Sequence, residues 1–399
     1  MWTGTFSAGF FLETRMHQSG SIWPTLLLAA LTCSAWGQDV LQVINPADMP
    51  AEGVAMRVGA YVGNDMVPVK QFDAKVWPNY QTRSGADLAL ADLRLDFGAS
   101  KRGWNVGYFY REDWRLASNR DTVDAYALSQ RRQYIGQNRS YELNYRLDGF
   151  SADGLRMGHT GLLPMADDAR LLWGWSAALL RGQGVKQETV QGVVISGASS
   201  GSLHGNREMF NTNLNPAAVR NGLNDFVPGQ SMGVSTGLGY GLDLGATWLG
   251  KNGERASLAV NDLAASIHWD RLPYLSETIN NLSVPAATPG PGPSFQGVSA
   301  YRPLTLRLKP KYLLEGEYPY GHVTAMARLE GADGDWFPQF GLHYALSQSW
   351  RLGMDYETRF GAYGLNLRYR AFYAGISTQN PDLARSRAIS ASAGTVLSF

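Results

Sequence analysis

The sequence has 399 residues, enough for one large barrel or two ordinary domains, and a formal net charge of +1 that leaves no basic footprint for nucleic acid. Hydrophobic residues make up 44% and charged residues 17%, below the usual share, while 45 Gly, 19 Tyr and 12 Trp are plentiful. Beyond residue 40 no apolar run reaches the roughly eighteen residues that a membrane helix needs, which excludes helical spans there and suits strands that meet lipid on one side only.

The chain opens with a short apolar core, Leu26 to Leu31, followed by Ala35, Trp36 and Gly37. This is the pattern of a secretory signal, so residues 1–37 are expected to be cut away after Gly37, with translation starting at Met1 or Met16. The single cysteine, Cys33, falls inside that leader, so the mature chain has no disulfide and no thiolate metal site. Residues 38–52 mix polar and apolar positions and hold two prolines; they are expected to form a periplasmic or lumen-entering lead segment. The barrel proper is expected over 53–399. Arginine outnumbers lysine 28 to 7, which suits walls where planar guanidinium groups meet carboxylates, and equally a genome rich in Arg codons.

Strand patterns of period two then follow one another. Ala89, Ala91, Leu93, Leu95 and Phe97 alternate with Leu90, Asp92, Arg94 and Asp96. Trp104, Val106, Tyr108 and Tyr110 alternate with Asn105, Gly107, Phe109 and Arg111, after a turn at 99–103. Tyr141, Leu143, Tyr145 and Leu147 alternate with Glu142, Asn144, Arg146 and Asp148. A hairpin turn is expected at Ser151-Ala152-Asp153-Gly154, and a strand pair over 171–198 around Gly182-Gln183-Gly184.

The clearest run is 234–248, with Leu238, Tyr240, Leu242, Leu244 and Trp248 on one face and Gly237, Gly239, Gly241, Asp243 and Gly245 on the other. At about 3.3 Å per residue it would span about 50 Å, more than a usual soluble strand. Its small face predicts close approach of a plug or loop, or a bend at the glycines. Toward the end, Trp350, Leu352, Met354 and Tyr356 oppose Arg351, Asp355, Glu357 and Arg359. Leu365, Leu367, Tyr369 and Tyr373 oppose Asn366, Arg368 and Arg370. Aromatic residues at strand ends (Trp104, Trp248, Trp350, Tyr373) suit a membrane interface.

These patterns predict an all-β fold: a single transmembrane antiparallel β-barrel of about 14 strands, within a range of 12–16. Long connections are expected at 116–139, with a short helix over 120–128, at 199–230 and at 270–302. Counting on from 303 leaves Phe399 on the wrong side, so the count has gained or lost one strand, between 303 and 330.

No metal site, cofactor site or catalytic set is expected. The histidines share no metal-ligand spacing, and neither a His-Glu-x-x-His motif nor a phosphate loop occurs. The candidate lumen-facing residues are Asp92, Arg94, Asp96, Glu142, Arg146, Asp148, Arg351, Asp355, Glu357, Arg359, Arg368 and Arg370. Their mixed signs suit a ladder of cross-strand ion pairs or a selectivity wall for a polar solute.

The last strand, with Ile389, Ala391, Ala393, Thr395, Leu397 and Phe399 on one face, resembles the closing strand of bacterial outer-membrane β-barrels. That resemblance implies that Leu397 and Phe399 are read by the barrel-assembly machinery. Asn45-Pro46-Ala47 and Leu242-Asp243-Leu244-Gly245 resemble segments of the fatty-acid-transporter-type and conjugal-transfer-type barrels. The implied location is the cell outer membrane, with outer-membrane lipid, the assembly machinery and export or assembly components as partners. The implied function is a channel or transporter, or the outer-membrane component of an export or surface-assembly system. A partner-binding barrel with a filled lumen is the alternative, and an outer-membrane hydrolase using His322 or His343 comes third.

Overall fold

The structure, a computed structural model, describes residues 39–72, 77, 80, 85, 87–130, 138–197, 201–213, 235–284 and 294–398. The expected leader and Phe399 lie outside them. Seventeen strands occur among the described residues. They are β1 (Gly53–Asn64), β2 (Leu88–Lys101), β3 (Trp104–Ser118), β4 (Arg139–Pro164), β5 (Arg170–Ser196), β6 (Gly201–Asn211), β7 (Gly237–Leu249), β8 (Arg255–Asn261), β9 (Ser266–Val284), β10 (Ser294–Arg307), β11 (Lys311–Tyr320), β12 (Val323–Ala332), β13 (Asp335–Ala345), β14 (Trp350–Glu357), β15 (Ala362–Tyr369), β16 (Phe372–Thr378) and β17 (Ala388–Ser398).

All pairings are antiparallel, and β17 pairs with β1, so the sheet closes on itself. The all-β barrel is as expected, but the seventeen segments exceed the expected fourteen. The excess has a physical origin: three wall strands are interrupted. Both β6 and β7 pair with β5, one above the other. β8 pairs with β7 and β11 below, and β9 continues it upward against β6 and β10. β10 and β11 likewise make one descending strand, broken at Leu308-Lys309-Pro310, where proline has no ladder donor to give. A circuit that leaves out β6, β9 and β10 closes through the other fourteen strands. The miscounted strand is the descending β10–β11, of which β11 falls within 303–330. Most of 270–302 is β9 and β10, not a loop, and from there the strands alternate until Ser398 lies beside Gly53.

Two expected turns are absent. β4 runs straight through Asp153-Gly154, and β5 through Gly182-Gly184. Gly154 serves packing rather than turning: a Cβ there would stand 2.4 Å from the Leu179 carbonyl oxygen and 3.0 Å from the Phe109 ring. Gln183 is an extra residue opposite the Ser151–Ala152 step, a bulge that shifts the register. Genuine two-residue turns are Arg102-Gly103 (φ 55° and 80°) and Asp333-Gly334 (φ 51° and 90°), the left-handed pairs a tight hairpin requires. The expected helix is present as Arg120–Gln130. Its Asp121 and Thr122 side chains accept from the backbone N–H groups of Glu142 (3.2 Å) and Asn144 (2.8 Å), covering the upper edge of β4.

Candidate functional site

Sidedness comes first. Outward positions carry exposed apolar side chains all round the ring, among them Leu179 (71% exposed), Leu238 (70%) and Met354 (62%), with Leu155, Leu258, Leu314, Phe340 and Leu365. Aromatic clusters flank this band. Trp104 meets His159 and Trp175, and Trp350 meets Tyr369, at the end of the short turns. Tyr312 meets Trp336, and Tyr356 meets Tyr363, toward the other end. Inward positions carry buried ions, including Asp92, Arg94, Asp96, Arg111, Lys311 and Arg328. A closed sheet with a greasy exterior, aromatic girdles and an ionised interior is stable only around water and within lipid. The protein is an outer-membrane β-barrel. Its short-turn end is the periplasmic one. Tyr373 does not belong to the girdle: its ring lies inside, over Gly394.

The lumen of this barrel is occupied by the chain's own start. Residues 39–49 run through it as irregular backbone ending in the short helix Pro46–Asp48, and buried irregular backbone must find side-chain partners. The wall supplies them. Asn261 takes both sides of one peptide, accepting from the Ile44 N–H (2.8 Å) and donating to the Ile44 carbonyl (2.7 Å). The Leu41 N–H donates to Glu330 Oε2 (2.6 Å), and Lys311 Nζ donates to the Leu41 carbonyl (3.1 Å). Thr160 Oγ1 donates to the Pro46 carbonyl (3.0 Å), and Asn45 Nδ2 to Thr247 Oγ1 (2.8 Å). Arg57 and Arg328 both clasp the Asp39 carboxylate.

Glycines shape the seat. A Cβ on Gly174 would stand 2.5 Å from the Pro46 carbonyl carbon and 2.6 Å from the Ala47 nitrogen. One on Gly245 would collide with the Asn45 side chain, and one on Gly59 with Gln42. On the small face of β7 the lower end, Gly245 and Thr247, meets the lead segment, whereas Gly237 and Gly239 lie against Ile267 and Trp269 of β9. Val40, Leu41 and Val43 of the segment pack with Tyr61, Leu90, Leu313, Phe337 and Phe360 into one apolar cluster.

Ion pairs close the lumen further. Lys311 on β11 reaches Asp92 on β2 and Asp113 on β3 (2.8 Å for the latter), nearly opposite in the ring. Arg111 holds Asp262 with two bonds of 2.9 and 2.8 Å. Arg115 on β3 reaches Asp335 beside the β12–β13 turn. Side chains from distant walls meet here only because the passage is shut at that level. Above the segment lies a second apolar cluster of Phe109, Phe150, Leu180, Val185, Ile267 and Trp269, with Trp269 over Gly182 and Gly237.

The residues singled out from the sequence fall into four groups and one residue apart, Arg370. Asp92, Arg94 and Asp96 are buried, with Arg94–Asp96 at 2.9 Å and Asp96–Arg156 at 3.0 Å. Glu142, Arg146 and Asp148 lie near the upper end of the barrel on the same side of β4 as Phe150; Arg146 is paired with Asp148 at 2.6 Å and half exposed. Asp355 is buried and accepts from Asn366, while Glu357 caps the β14–β15 turn through the Phe360 N–H (3.0 Å) and Arg359 ties that turn to Asp65 (2.7 Å) and Asp87 (3.0 Å). Arg351 and Arg368 are Cα partners at the lower end. Arg370 is not on the wall: it sits in the β15–β16 turn with φ 53°, over the Tyr369 ring. Sequence reasoning missed Arg57, Asn261, Lys311 and Arg328, the residues that grip the plug.

His322 and His343 are not brought together. His322 lies in the β11–β12 turn near Tyr344, and His343 lies buried over Gly353. A Gly-x-Ser-x-Gly string spans 233–237, but Ser235 sits in a strand connection, its hydroxyl accepting from the Arg271 N–H (2.9 Å), not at a strand-to-helix elbow.

No family model matches the chain, and no curated protein matches it by sequence. Among solved structures it is similar to a deletion mutant of the monoaromatic hydrocarbon channel TodX, at 10% identity over 93% of this chain and 98% of that one, with a TM-score of 0.48. It is also similar to the monoaromatic hydrocarbon channel CymD (12% identity, 89% and 91% covered, TM-score 0.24) and to a Pseudomonas aeruginosa FadL homologue (11%, 87% and 92%, 0.20). At these identities and scores each is a likeness of architecture and nothing more.

Proposed function

We propose that the protein is an outer-membrane channel or transporter that rests closed, with residues 39–49 as its gate. One observation carries this reading: the wall is carved at Gly59, Gly174 and Gly245 to receive that segment, and polar wall side chains match its backbone. A lumen filled only for rigidity needs no removable filler; side chains of the wall itself would do. The segment enters from the periplasmic end, so its withdrawal would clear the lower lumen without breaking the sheet. The apolar cluster above it suits a small organic solute with an apolar body.

Planar-bilayer recording tests the gate. Full-length protein is expected to pass little current, and protein lacking 39–49 to open in steps. If the shortened protein shows heat-modifiable folding and stays silent, the channel reading falls.

The upper half of the sheet supports a second reading, a docking platform for an export or assembly partner. β5 is 27 residues long, and β6, β9 and β10 extend the wall above the closed ring. Loss of partner capture on shortening β9–β10, with conductance of the gate-deleted protein intact, would favour it.

A further inference from the structure

The wall holds the lead segment by its backbone. Glu330 Oε2 accepts from the Leu41 N–H (2.6 Å), and Lys311 Nζ donates to the Leu41 carbonyl (3.1 Å). Three residues on, Asn261 repeats the pairing with one side chain, accepting from the Ile44 N–H (2.8 Å) and donating to the Ile44 carbonyl (2.7 Å). Two residues are thus bound at both of their main-chain polar groups. Asn261, Lys311 and Glu330 stand on β8, β11 and β12, three neighbours in the ring. The side chains of the segment are treated differently. Val40, Leu41 and Val43 enter an apolar cluster with Tyr61, Leu313 and Phe337. Main-chain groups to polar partners and aliphatic side chains to an apolar pocket is how an extended peptide is recognised.

The bed offers more than the segment takes. Gln339 on β13 is fully buried and faces inward, since Phe340 after it belongs to the exposed outer band. Its Cα partner is Arg328, which bonds to Asp39 and Glu330. Among the described residues neither the oxygen nor the nitrogen of the Gln339 amide has a hydrogen-bond partner. The Tyr61 hydroxyl, on the ring that lines the apolar cluster, is also buried and unpartnered. Buried polar groups normally find partners, so both are aimed at something other than the segment. The segment also fits with strain: Gln42 has φ 49°, a left-handed conformation that a residue with a side chain rarely adopts.

We propose that the bed of residues 39–45 is a binding site for short apolar peptides, and that the lead segment is its built-in occupant. The proposal rests on the gate reading and names the solute class. The solute brings main-chain N–H and carbonyl groups for Glu330, Lys311 and Asn261, and aliphatic side chains for the cluster at Phe337. Gln339 and Tyr61 add contacts that the segment leaves unused.

Competition in the full-length barrel tests it. The probe is acetyl-Val-Leu-Gln-Val-Ile-amide, a capped copy of residues 40–44. It is added at millimolar concentration, because a tethered occupant competes at an effective concentration on the order of millimolar. The readout is the rate of proteolytic cleavage within residues 39–49. The peptide is expected to speed cleavage several-fold. An analogue with ester oxygens in place of the Leu and Ile backbone nitrogens cannot donate to Glu330 or Asn261, and about tenfold more of it should be needed. Toluene, an apolar body without a peptide group, should leave cleavage unchanged. So should acetyl-Ser-Gly-Gln-Ser-Gly-amide, a backbone without aliphatic side chains. No acceleration by the peptide, or equal acceleration by the ester analogue, overturns the peptide site. Toluene acting as well as the peptide would overturn it too, reducing the bed to an apolar pocket. Equal action of the polar peptide would overturn the apolar specificity. Every arm uses the unaltered protein, so no variant has to fold. If protein lacking 39–49 conducts while the peptide has no effect, the peptide site alone is wrong. If the peptide competes but nothing conducts, the channel reading is the one that fails.

Discussion

The two sides of the ring are built differently. From β12 to β17 the wall is regular: strands of 7–11 residues, tight turns, and an inner face with Gly353, Gly364, Ser377, Ser390, Ser392 and Gly394. From β4 to β11 it is irregular, with strands of up to 27 residues, three interrupted strands and Asp262 in a left-handed conformation (φ 57°). The irregular side carries Gly174, Thr160, Thr247, Asn261 and Lys311, all of which touch the lead segment. Regular hairpins suffice to close a barrel. β12 of the regular side grips the segment as well, through Arg328 and Glu330, but at side-chain length; the irregular side is where the backbone of the segment lies against the wall, as at Gly174.

The largest expected effect breaks the irregular side at its ionic centre. Lys311→Met leaves Asp92 and Asp113 facing each other in a buried place, so about 3–5 kcal/mol of stability is expected to be lost, measured by urea unfolding in lipid vesicles. Combining it with Asp92→Asn should restore most of that loss, since Asp113 keeps its pair with Arg111 and Asp92 is the charge left uncompensated. Loss that persists in the double variant would mean that Lys311 acts by packing instead. Next in size is a change to the outer face. Met354→Arg, flanked by Leu342 and Leu365 between the levels of Trp350 and Tyr356, places a cation among lipid tails and is expected to cost about 2–4 kcal/mol. The same change in a barrel that met water outside would cost almost nothing, so vesicle titrations showing no loss would undo the assignment of the two faces.

What the sequence made legible follows the same division. The regular side was read nearly strand by strand, because hairpins with a wet and a greasy face print a period of two directly. Leu238 to Trp248 was equally plain, and the glycines opposite them announced a close neighbour. The irregular side misled. Asp153-Gly154 has the composition of a turn, yet that glycine is needed for close approach of the Leu179 carbonyl oxygen and the Phe109 ring, a demand that local sequence cannot separate from turning. Stretches such as 270–302 read as loops because their charges and prolines interrupt the alternation, although the chain continues as strand on either side of each break. The site was legible by halves. Asp92, Arg94 and Asp96 stood out as inward ions, but Arg57, Asn261 and Arg328 matter through partners hundreds of residues distant or on the plug, and no spacing records that.

The smallest effect separates the two sides most cleanly, because one substitution fails in two ways. Gly334→Ala lies on the regular side in open space, with nothing within 4 Å of the added methyl group, but at φ 90°. Its cost is purely conformational, about 1 kcal/mol, and should appear as a shift in unfolding midpoint with no change in current. Gly174→Ala lies on the irregular side, where the added methyl group would meet the Pro46 carbonyl carbon at 2.5 Å. The sheet can keep its ladder there, so the strain falls on the lead segment. The expected outcome is raised current in bilayers and faster proteolysis of residues 39–49, with the unfolding midpoint of the barrel almost unmoved. If Gly174→Ala instead lowered the midpoint and left the current alone, the segment would be a structural element of the wall, and the difference between the two sides would be one of shape without consequence for gating.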